Sequence, residues 1–263
     1  MLIRYIRVAV KALIFLILLF GFLFTTSLNN LFIRKTKPRL IISSKLSSFF
    51  SKLTLFVLGF DVRSQAFNVE RKNSENFLIV SNHLSYMDTF ILASQLNCIF
   101  IAAKDGVQEQ FPLGWVTKNS GGIFIERKIR SNIRAEINKI KNILNDGFNV
   151  VLFPEGTTSD GVEMLKFRSP FFSSVFNSNI NILPVCICYK KLNGDPISED
   201  NINLISYSGK IGFFEHFFRM LSFKNIEVLI TFLDIIESKS FKSRKELTNS
   251  TYNKIYEFYK TES

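Results

Sequence analysis

The chain opens with a long apolar stretch. Residues 12–24 carry no charge, and the apolar character reaches from Val8 to Leu28 when Lys11 is included. A helix needs about 20 apolar residues to cross the core of a bilayer. The pattern therefore predicts a membrane anchor, with a cleaved signal peptide or a helix lying in the interface as alternatives. Basic residues flank both ends, so the positive-inside rule selects no orientation: Arg4, Arg7 and Lys11 precede the run, and Arg34, Lys35, Lys37 and Arg39 follow it.

The next segment, residues 41–60, spaces its apolar residues as an amphipathic helix does. From residue 67 onward, short and uniformly apolar runs alternate with helical patterns. The predicted strands are 76–80, 98–104, 121–128, 148–156, 181–191 and 225–236, and the predicted helices are 89–96, 131–147, 169–178 and 243–260. Uniformly apolar strands that alternate with helices are typical of an α/β fold, with a mostly parallel sheet covered by helices on both faces. We expect an N-terminal membrane anchor and amphipathic helix in 1–64 and a catalytic domain in 65–263.

Three polar segments directly follow strand-like runs. They are "SNHLSYMD" (81–88), the "ERK" that begins at residue 126, and "PEGTTSDG" (154–161). Ligands of open parallel sheets bind beyond the carboxyl ends of the strands. If the strands are parallel, all three segments meet at one edge of the sheet.

His83 and Asp88 are five residues apart in the first segment. Within a regular helix this spacing turns two side chains about 140° away from each other. Contact between them requires His83 to precede the helix and Asp88 to lie in its first turn. Asp88 would then fix one imidazole nitrogen and leave the other as a general base. The alternative is that Asn82 and Asp88 are turn and cap residues and His83 only fills the turn.

No nucleophile of the protein accompanies this base. There is no G-x-S-x-G motif, and Cys98, Cys186 and Cys188 have no histidine nearby in sequence. The only other histidine, His216, lies in "FFEHFF", which predicts a core or membrane-facing helix; two histidines make a His-rich metal site unexpected. We infer a base that activates a hydroxyl or water brought by the substrate. The odd number of cysteines, without a C-x-x-C, favours a reducing, cytosol-facing location.

The third segment resembles an anion cradle. Gly156, Thr157 and the two residues after them supply N–H and O–H donors, and Arg168 follows downstream with Lys166. Glu155 is unexpected beside an anion, so it could instead orient a substrate hydroxyl or the neighbouring base. Arg127, at the end of a predicted strand, suits bidentate phosphate binding. The alternatives are an ordinary loop and, for Arg127, a surface ion pair.

The formal net charge is +11 and the isoelectric point about 9.6, which indicates an anionic partner. The alternative is a compositional bias, since the chain also has 29 phenylalanines.

Four blocks together resemble glycerolipid acyltransferases, and in particular the bacterial 1-acylglycerol-3-phosphate acyltransferases. They are "NHLSYMD" (82–88), "GGIFIER" (121–127), "FPEGTTS" (153–159) and "ILPVCI" (182–187), in the family's order within residues 65–236. The resemblance implies a glycerol-3-phosphate acyltransferase-like α/β fold with a helical element on the membrane. It implies that His83 is the base, that Asp88 orients it, and that Arg127 holds a phosphate. Glu155 and Gly156 would shape the glycerophosphate site, and Pro184 would belong to the acyl pocket.

The implied reaction moves a fatty acyl chain from acyl-CoA or acyl carrier protein to the free hydroxyl of lysophosphatidic acid, giving phosphatidic acid. The thioester is a co-substrate, and no cofactor, metal or nucleic acid is expected. The expected partners are membrane lipids, at the cell inner membrane with the catalytic domain facing the cytoplasm. Thr158 stands where the family often has arginine, so that Arg168 could replace this charge. Another lysolipid such as lyso-ornithine lipid, a lipid hydrolase, and a non-catalytic lipid-binding protein remain open.

Overall fold

The computed structural model describes residues 2–66, 76–104, 108, 112–126, 132–209 and 211–262. Its helices are α1 (Leu2–Phe32), α2 (Thr36–Leu58), α3 (Met87–Gln95), α4 (Leu113–Asn119), α5 (Ile133–Asn145), α6 (Phe213–Ser222) and α7 (Arg244–Glu262). Its strands are β1 (Phe60–Ala66), β2 (Leu78–Ser81), β3 (Cys98–Ala103), β4 (Ile123–Ile125), β5 (Asn149–Leu152), β6 (Ile182–Leu192), β7 (Asp195–Pro196) and β8 (Ile226–Phe232).

One sheet contains all the strands of the described residues, in the order β1-β8-β6-β2-β5-β3-β4, with the short β7 paired to β6. Strands β2 to β6 are parallel to one another. Strands β1 and β8 are parallel to each other, and β8 runs antiparallel to β6. The predicted α/β fold with a mostly parallel sheet is confirmed. Because β2, β4 and β5 all run the same way, the three polar segments that follow them begin at the same edge of the sheet, as predicted.

Helices cover both faces of the sheet, which explains why its central strands are apolar throughout. One core cluster joins the sheet to α2, α3 and α6, and includes Leu58, Ile91 and Met220. The second joins it to α5 and α7, and includes Ile140 and Ile255. Every residue of β2 is buried. A strand with both faces covered has no position for a solvated side chain, so β2 reads as a continuous apolar run.

The first helix is docked onto the rest of the chain through its basic residues. The Lys11 ammonium donates hydrogen bonds to the carbonyl oxygens of Leu58 (2.6 Å) and Phe223 (2.8 Å), where α2 and α6 end. Arg7 donates to the carbonyl of Ser222 at 3.3 Å. Cations are favourable at the carboxyl end of a helix because the last carbonyls have no partner within the helix. These basic residues thus hold α1 against the carboxyl ends of α2 and α6.

Among the described residues, α1 and α2 are the two helices long and apolar enough to cross a membrane. Only 6% of the most apolar window of α1 is buried within the protein, against 33% for α2. Large apolar side chains therefore face outward along both helices, among them Ile17, Phe20, Phe24, Phe49 and Phe56. Apolar residues that are exposed singly are common on protein surfaces, whereas a continuous apolar surface such as this one indicates contact with lipid or another protein.

Most of the predicted elements are present, but several differ. Helix α4 was not predicted, and the strand expected at 148–156 ends at Leu152. Residues 169–178 form a 3-10 helix at Pro170–Ser174 instead of an α-helix, and the strand expected at 121–128 is limited to Ile123–Ile125. Strand β1 was not predicted, because its sequence "FDVRSQA" mixes polar with apolar residues. Such a strand suits the edge of the sheet, where β1 pairs with β8. The predicted boundary between residues 64 and 65 falls inside β1, and the division into two domains stays a prediction.

Candidate active site

His83 and Asp88 lie in the turn between β2 and α3. His83 precedes the helix, and Asp88 is in its first turn. Asp88 Oδ2 lies 2.9 Å from His83 Nδ1, which confirms the contact predicted from the five-residue spacing. Since a carboxylate accepts hydrogen bonds, Nδ1 carries the ring proton and Nε2 keeps the lone pair. The imidazole thus has the tautomer that a general base at Nε2 requires.

Asp88 is held by a complete set of donors although it is fully buried. Its Oδ2 also accepts the backbone N–H groups of Leu84 (2.6 Å) and Ser85 (2.8 Å), and its Oδ1 accepts the hydroxyl of Tyr189 (2.7 Å). Hydrogen bonds to a buried carboxylate offset its loss of hydration, and its place in the first turn of α3 adds the favourable helix dipole. The carboxylate therefore has one fixed orientation, and it fixes the imidazole in turn.

Tyr189 is a site residue that the sequence did not reveal. It comes from β6, 101 residues after Asp88, and no motif links the two positions. Burial raises the pKa of its phenol well above the ordinary value, as does the adjacent Asp88 carboxylate, so Tyr189 acts as a donor. The only signal in the sequence was a polar ring in an otherwise apolar run, which does not indicate its partner.

We expect Tyr189→Phe to lower kcat for the acyl transfer proposed below about 3- to 10-fold. One of four hydrogen bonds to Asp88 is lost, while the carboxylate keeps its charge. The fold should remain, since only a hydroxyl is removed. Steady-state kinetics together with thermal unfolding would check this. An unchanged kcat would mean that the Tyr189 bond does not contribute to the orientation of the base.

Phe153 forms the second support of the imidazole. Its ring stacks on that of His83, with centroids 3.9 Å apart and planes 14° from parallel. The face of an aromatic ring attracts a cation. The stacking thus limits rotation of the imidazole and places the face of an aromatic ring directly against it.

Glu155 connects the "FPEGTTS" loop to the backbone of His83. Its Oε1 accepts the N–H of His83 at 2.7 Å, and its Oε2 accepts the N–H of Leu165 at 2.9 Å. In addition, the N–H of Ser159 donates to the carbonyl of His83 at 2.8 Å. The carboxylate is buried and both of its oxygens accept backbone N–H groups, and its expected contact with substrate stays a prediction. The expected alternative, a residue that orients the base, agrees with these contacts.

We expect Glu155→Gln to lower the free energy of unfolding by about 1–3 kcal/mol, because its amide group would face a backbone N–H that then lacks an acceptor. Burial raises the pKa of Glu155 to about 8 from 4.5, although the two N–H bonds oppose this change. Between pH 4.5 and about 8, Glu155 is deprotonated in the unfolded chain and protonated in the folded protein. Its contribution to the free energy of unfolding therefore falls as the pH rises through this range.

Urea unfolding of both proteins across this pH range would test the expectation. The wild-type protein should lose more of its stability with rising pH than Glu155→Gln does. Equal slopes would show that Glu155 does not titrate there, and equal stability would show that the two backbone contacts matter little.

A cavity of about 470 Å³ opens beside His83. His83, Gly156 and Thr157 line it together with apolar residues of α1, α2, α3, α4 and α6. Its volume falls in the range of small-molecule sites, ~300–1,000 Å³, which are mostly apolar with a few polar groups. The His83 imidazole therefore faces a cavity whose apolar walls suit an alkyl chain.

The remaining predicted residues are placed as follows. Gly156 adopts a positive φ of 78°, and a Cβ added there would come within 3.3 Å of the Arg168 guanidinium, so Arg168 packs directly over this loop. The hydroxyl of Thr158 donates to the carbonyl of Tyr207. Arg127 lies outside the described residues. Pro184 is buried within β6, beside Val80 of β2, which places it in the sheet instead of the cavity wall.

A histidine–aspartate pair beside an apolar cavity suits chemistry on a lipid substrate, and comparison with known families agrees. Residues 63–188 match the model of the family described as Acyltransferase. These residues are thus similar to an acyltransferase domain, and the resemblance to glycerolipid acyltransferases is confirmed.

Two bacterial relatives and one solved structure show the extent of the similarity. Lyso-ornithine lipid O-acyltransferase of Rhizobium meliloti (strain 1021) is 27% identical over 205 residues, or 75% of this chain and 68% of that protein. 1-acyl-sn-glycerol-3-phosphate acyltransferase of Neisseria gonorrhoeae is 27% identical over 170 residues, or 65% of this chain and 64% of that protein. The crystal structure of the 1-acyl-sn-glycerophosphate (LPA) acyltransferase PlsC from Thermotoga maritima superimposes with a TM-score of 0.69 at 22% identity. That match covers 98% of this chain and 97% of the other, and it shows a shared fold.

Proposed function

We propose that this protein transfers a fatty acyl chain from an acyl thioester to the free hydroxyl of lysophosphatidic acid, giving phosphatidic acid for phospholipid biosynthesis. The observation that carries the proposal is the His83–Asp88 pair, with Nδ1 and Oδ2 2.9 Å apart, beside an apolar cavity. A base of this kind serves a substrate hydroxyl, and the cavity suits an acyl tail.

The proposed mechanism is direct transfer. His83 Nε2 removes the proton from the acceptor hydroxyl as its oxygen attacks the thioester carbonyl. Asp88 and the face of Phe153 stabilise the resulting imidazolium. The carbon–sulfur bond then breaks, the imidazolium returns its proton to the leaving thiolate, and free CoA or carrier-protein thiol departs. An ester bond replaces a thioester bond, and no acyl-enzyme forms.

Basic residues support an anionic head group on the acceptor. Arg168 packs over Gly156, which lines the cavity, and Arg127 stays a predicted phosphate ligand. Guanidinium groups bind phosphate through paired hydrogen bonds. The negative charges of phosphatidic acid, CoA and acyl carrier protein would also be attracted to a chain with a net charge of +11.

A second acceptor, lyso-ornithine lipid, is favoured by one specific observation. Thr158 stands where the related acyltransferases often carry arginine, and its hydroxyl is bound to the Tyr207 carbonyl. The site therefore lacks one cation that a phosphate would use. The relative from Rhizobium meliloti, named as a lyso-ornithine lipid O-acyltransferase, supports this alternative.

A panel of acceptors separates the two. We expect faster acylation of lysophosphatidic acid than of lyso-ornithine lipid or lysophosphatidylcholine. Arg168→Gln should raise the KM for lysophosphatidic acid about 10-fold, because a charge-assisted bond to phosphate is lost. Lys166→Gln removes the same charge two residues away, at an exposed position, and serves as the matched control. Preferred acylation of lyso-ornithine lipid by the wild-type protein would establish the alternative acceptor.

The proposed location is the inner membrane, with the catalytic domain facing the cytoplasm. The outward apolar side chains of α1 and α2 support membrane attachment. Cys98, Cys186 and Cys188 are buried free thiols, as expected for a domain kept in a reducing compartment. Attachment would hold the cavity where a lysolipid can enter from the bilayer and the two-tailed product can return to it.

Hydrolysis and silent lipid binding give different results in the same assay. A lipid hydrolase would release fatty acid from the thioester whether or not a lysolipid is present. A non-catalytic lipid-binding protein would bind acyl chains and turn over none of the acceptors.

A further inference from the structure

His216 has no part in the mechanism above, yet it is fully buried in the middle of α6 and bonded through both ring nitrogens. Nε2 lies 3.1 Å from the carbonyl oxygen of Ile205, and Nδ1 lies 3.0 Å from the hydroxyl of Tyr86. A carbonyl can only accept, so Nε2 carries the proton and Nδ1 accepts the Tyr86 hydroxyl. Burial lowers the pKa of His216 to about 4, and the ring is neutral at cytosolic pH.

Tyr86 connects this histidine to the catalytic turn. It immediately precedes α3, lies two residues before Asp88, and lines the cavity. Its ring packs against those of Tyr207 (5.3 Å) and Phe213 (5.1 Å). The N–H of Tyr207 donates to the carbonyl of Leu84 at 3.0 Å. The cluster thus joins α6 to the segment that carries His83 and Asp88.

The side of α6 that His216 fixes is also a wall of the cavity. Phe213 and Phe217 line it, and the Phe217 ring lies 4.6 Å from the ring of Phe15 on α1. If position 216 only had to fill space, an apolar side chain would do so without the free-energy cost of burying a polar imidazole. The two hydrogen bonds of His216 are directional, so they restrict both the rotation of α6 about its axis and its distance from Tyr86.

We propose that His216 is a positioning residue that acts through Tyr86 to fix the α6 wall, and thereby determines which acyl-chain lengths the cavity accepts. This inference rests on the proposed acyl transfer. Loss of either hydrogen bond would let α6 and the Tyr86 ring shift, and the cavity would discriminate less between chains. His83 would keep its contacts with Asp88, so the chemical step would change little.

The test uses Tyr86→Phe, His216→Phe and the double variant in the full-length protein. Each is assayed with thioesters of increasing chain length at a fixed acceptor, and then with acceptors of increasing chain length at a fixed donor. We expect the ratio of kcat/KM between preferred and longer chains to fall about 3- to 30-fold, mainly through KM. If the ratio changes only in the thioester series, the donor chain occupies this part of the cavity. If it changes only in the acceptor series, the acceptor tail does. The double variant should change no more than His216→Phe, since both remove the same bond.

Leu221→Ala is the matched control, because Leu221 is buried on the same helix but does not line the cavity. It should lower the thermal stability and leave the chain-length profile unchanged. A purely structural role of His216 would lower the amount of active protein without altering that profile, and this result would overturn the inference. Tyr86→Phe, which removes a single hydroxyl, decides the matter if His216→Phe does not fold.

Binding of fluorescent fatty acids of several lengths to the same proteins measures the cavity without turnover. If the wild-type protein transfers no acyl chain, the proposed function fails, whereas the binding profile still tests the role of His216. Identical binding profiles for the wild-type protein and Tyr86→Phe would contradict the inference.

Discussion

Replacing His83 with alanine is expected to lower kcat for acyl transfer by about 10²- to 10⁴-fold, which is the usual contribution of a general base. The side chain is 17% exposed and is held by Asp88 and Phe153, so its loss removes the base from an otherwise intact turn. The KM values should change less than kcat, because the imidazole takes up a proton in the transition state and does not bind the head group. Initial rates with a labelled thioester and lysophosphatidic acid would measure the effect.

Thermal unfolding provides the control for His83→Ala. The backbone of residue 83 keeps its bonds to Glu155 and Ser159, so the melting temperature should stay close to that of the wild-type protein. His83→Gln keeps a polar side chain of similar size without a base, and should be as inactive as the alanine variant. Acyl transfer at the wild-type rate in either variant would exclude His83 as the base.

Asp88→Asn has the second largest expected effect, a decrease in kcat of about 10²- to 10³-fold. An amide has one oxygen, which would remain with the N–H groups of Leu84 and Ser85, while its NH₂ would face Tyr189. The imidazolium formed during transfer would then lack a negative partner. The cost should appear in kcat, measured at saturating thioester and acceptor.

Tyr189→Phe serves as the comparison for Asp88→Asn. It removes a contact of the same carboxylate but keeps the charge, so its effect on kcat should be smaller by at least an order of magnitude. Equal effects of the two variants would mean that the orientation of Asp88 matters and its charge does not. Little effect of Asp88→Asn, with an unchanged melting temperature, would remove Asp88 from the mechanism.

The sequence predicted the parts of the site that depend on local geometry. The five-residue spacing of His83 and Asp88 allows contact only across the start of a helix, and the structure has this arrangement. The apolar runs predicted β2, β3, β5 and β6, because strands covered on both faces have no solvated positions. Gly147, just after the end of α5, has the positive φ of 90° that favours glycine at this position.

Long-range contacts and the directions of side chains were not available from the sequence. Tyr189 meets Asp88 because β6 lies beside β2 in the sheet, and spacing along the chain gives no sign of that. The sequence also did not show that both carboxylate oxygens of Glu155 accept backbone N–H groups, one of which belongs to His83. Strand β1 was missed because it is an edge strand, paired only with β8, and its polar residues do not form the continuous apolar run used to predict strands.

The central claim is that a thioester's acyl chain passes directly to a lysolipid hydroxyl, with His83 as the base. The most direct measurement follows a radiolabelled acyl thioester with the purified protein, in the presence and absence of lysolipid acceptor. The account predicts that the label in the two-tailed lipid equals the thiol released and that the protein carries none. His83→Ala should slow the formation of both products about 10²- to 10⁴-fold. Thiol release of the same rate without acceptor, or label bound covalently to the protein, would contradict it.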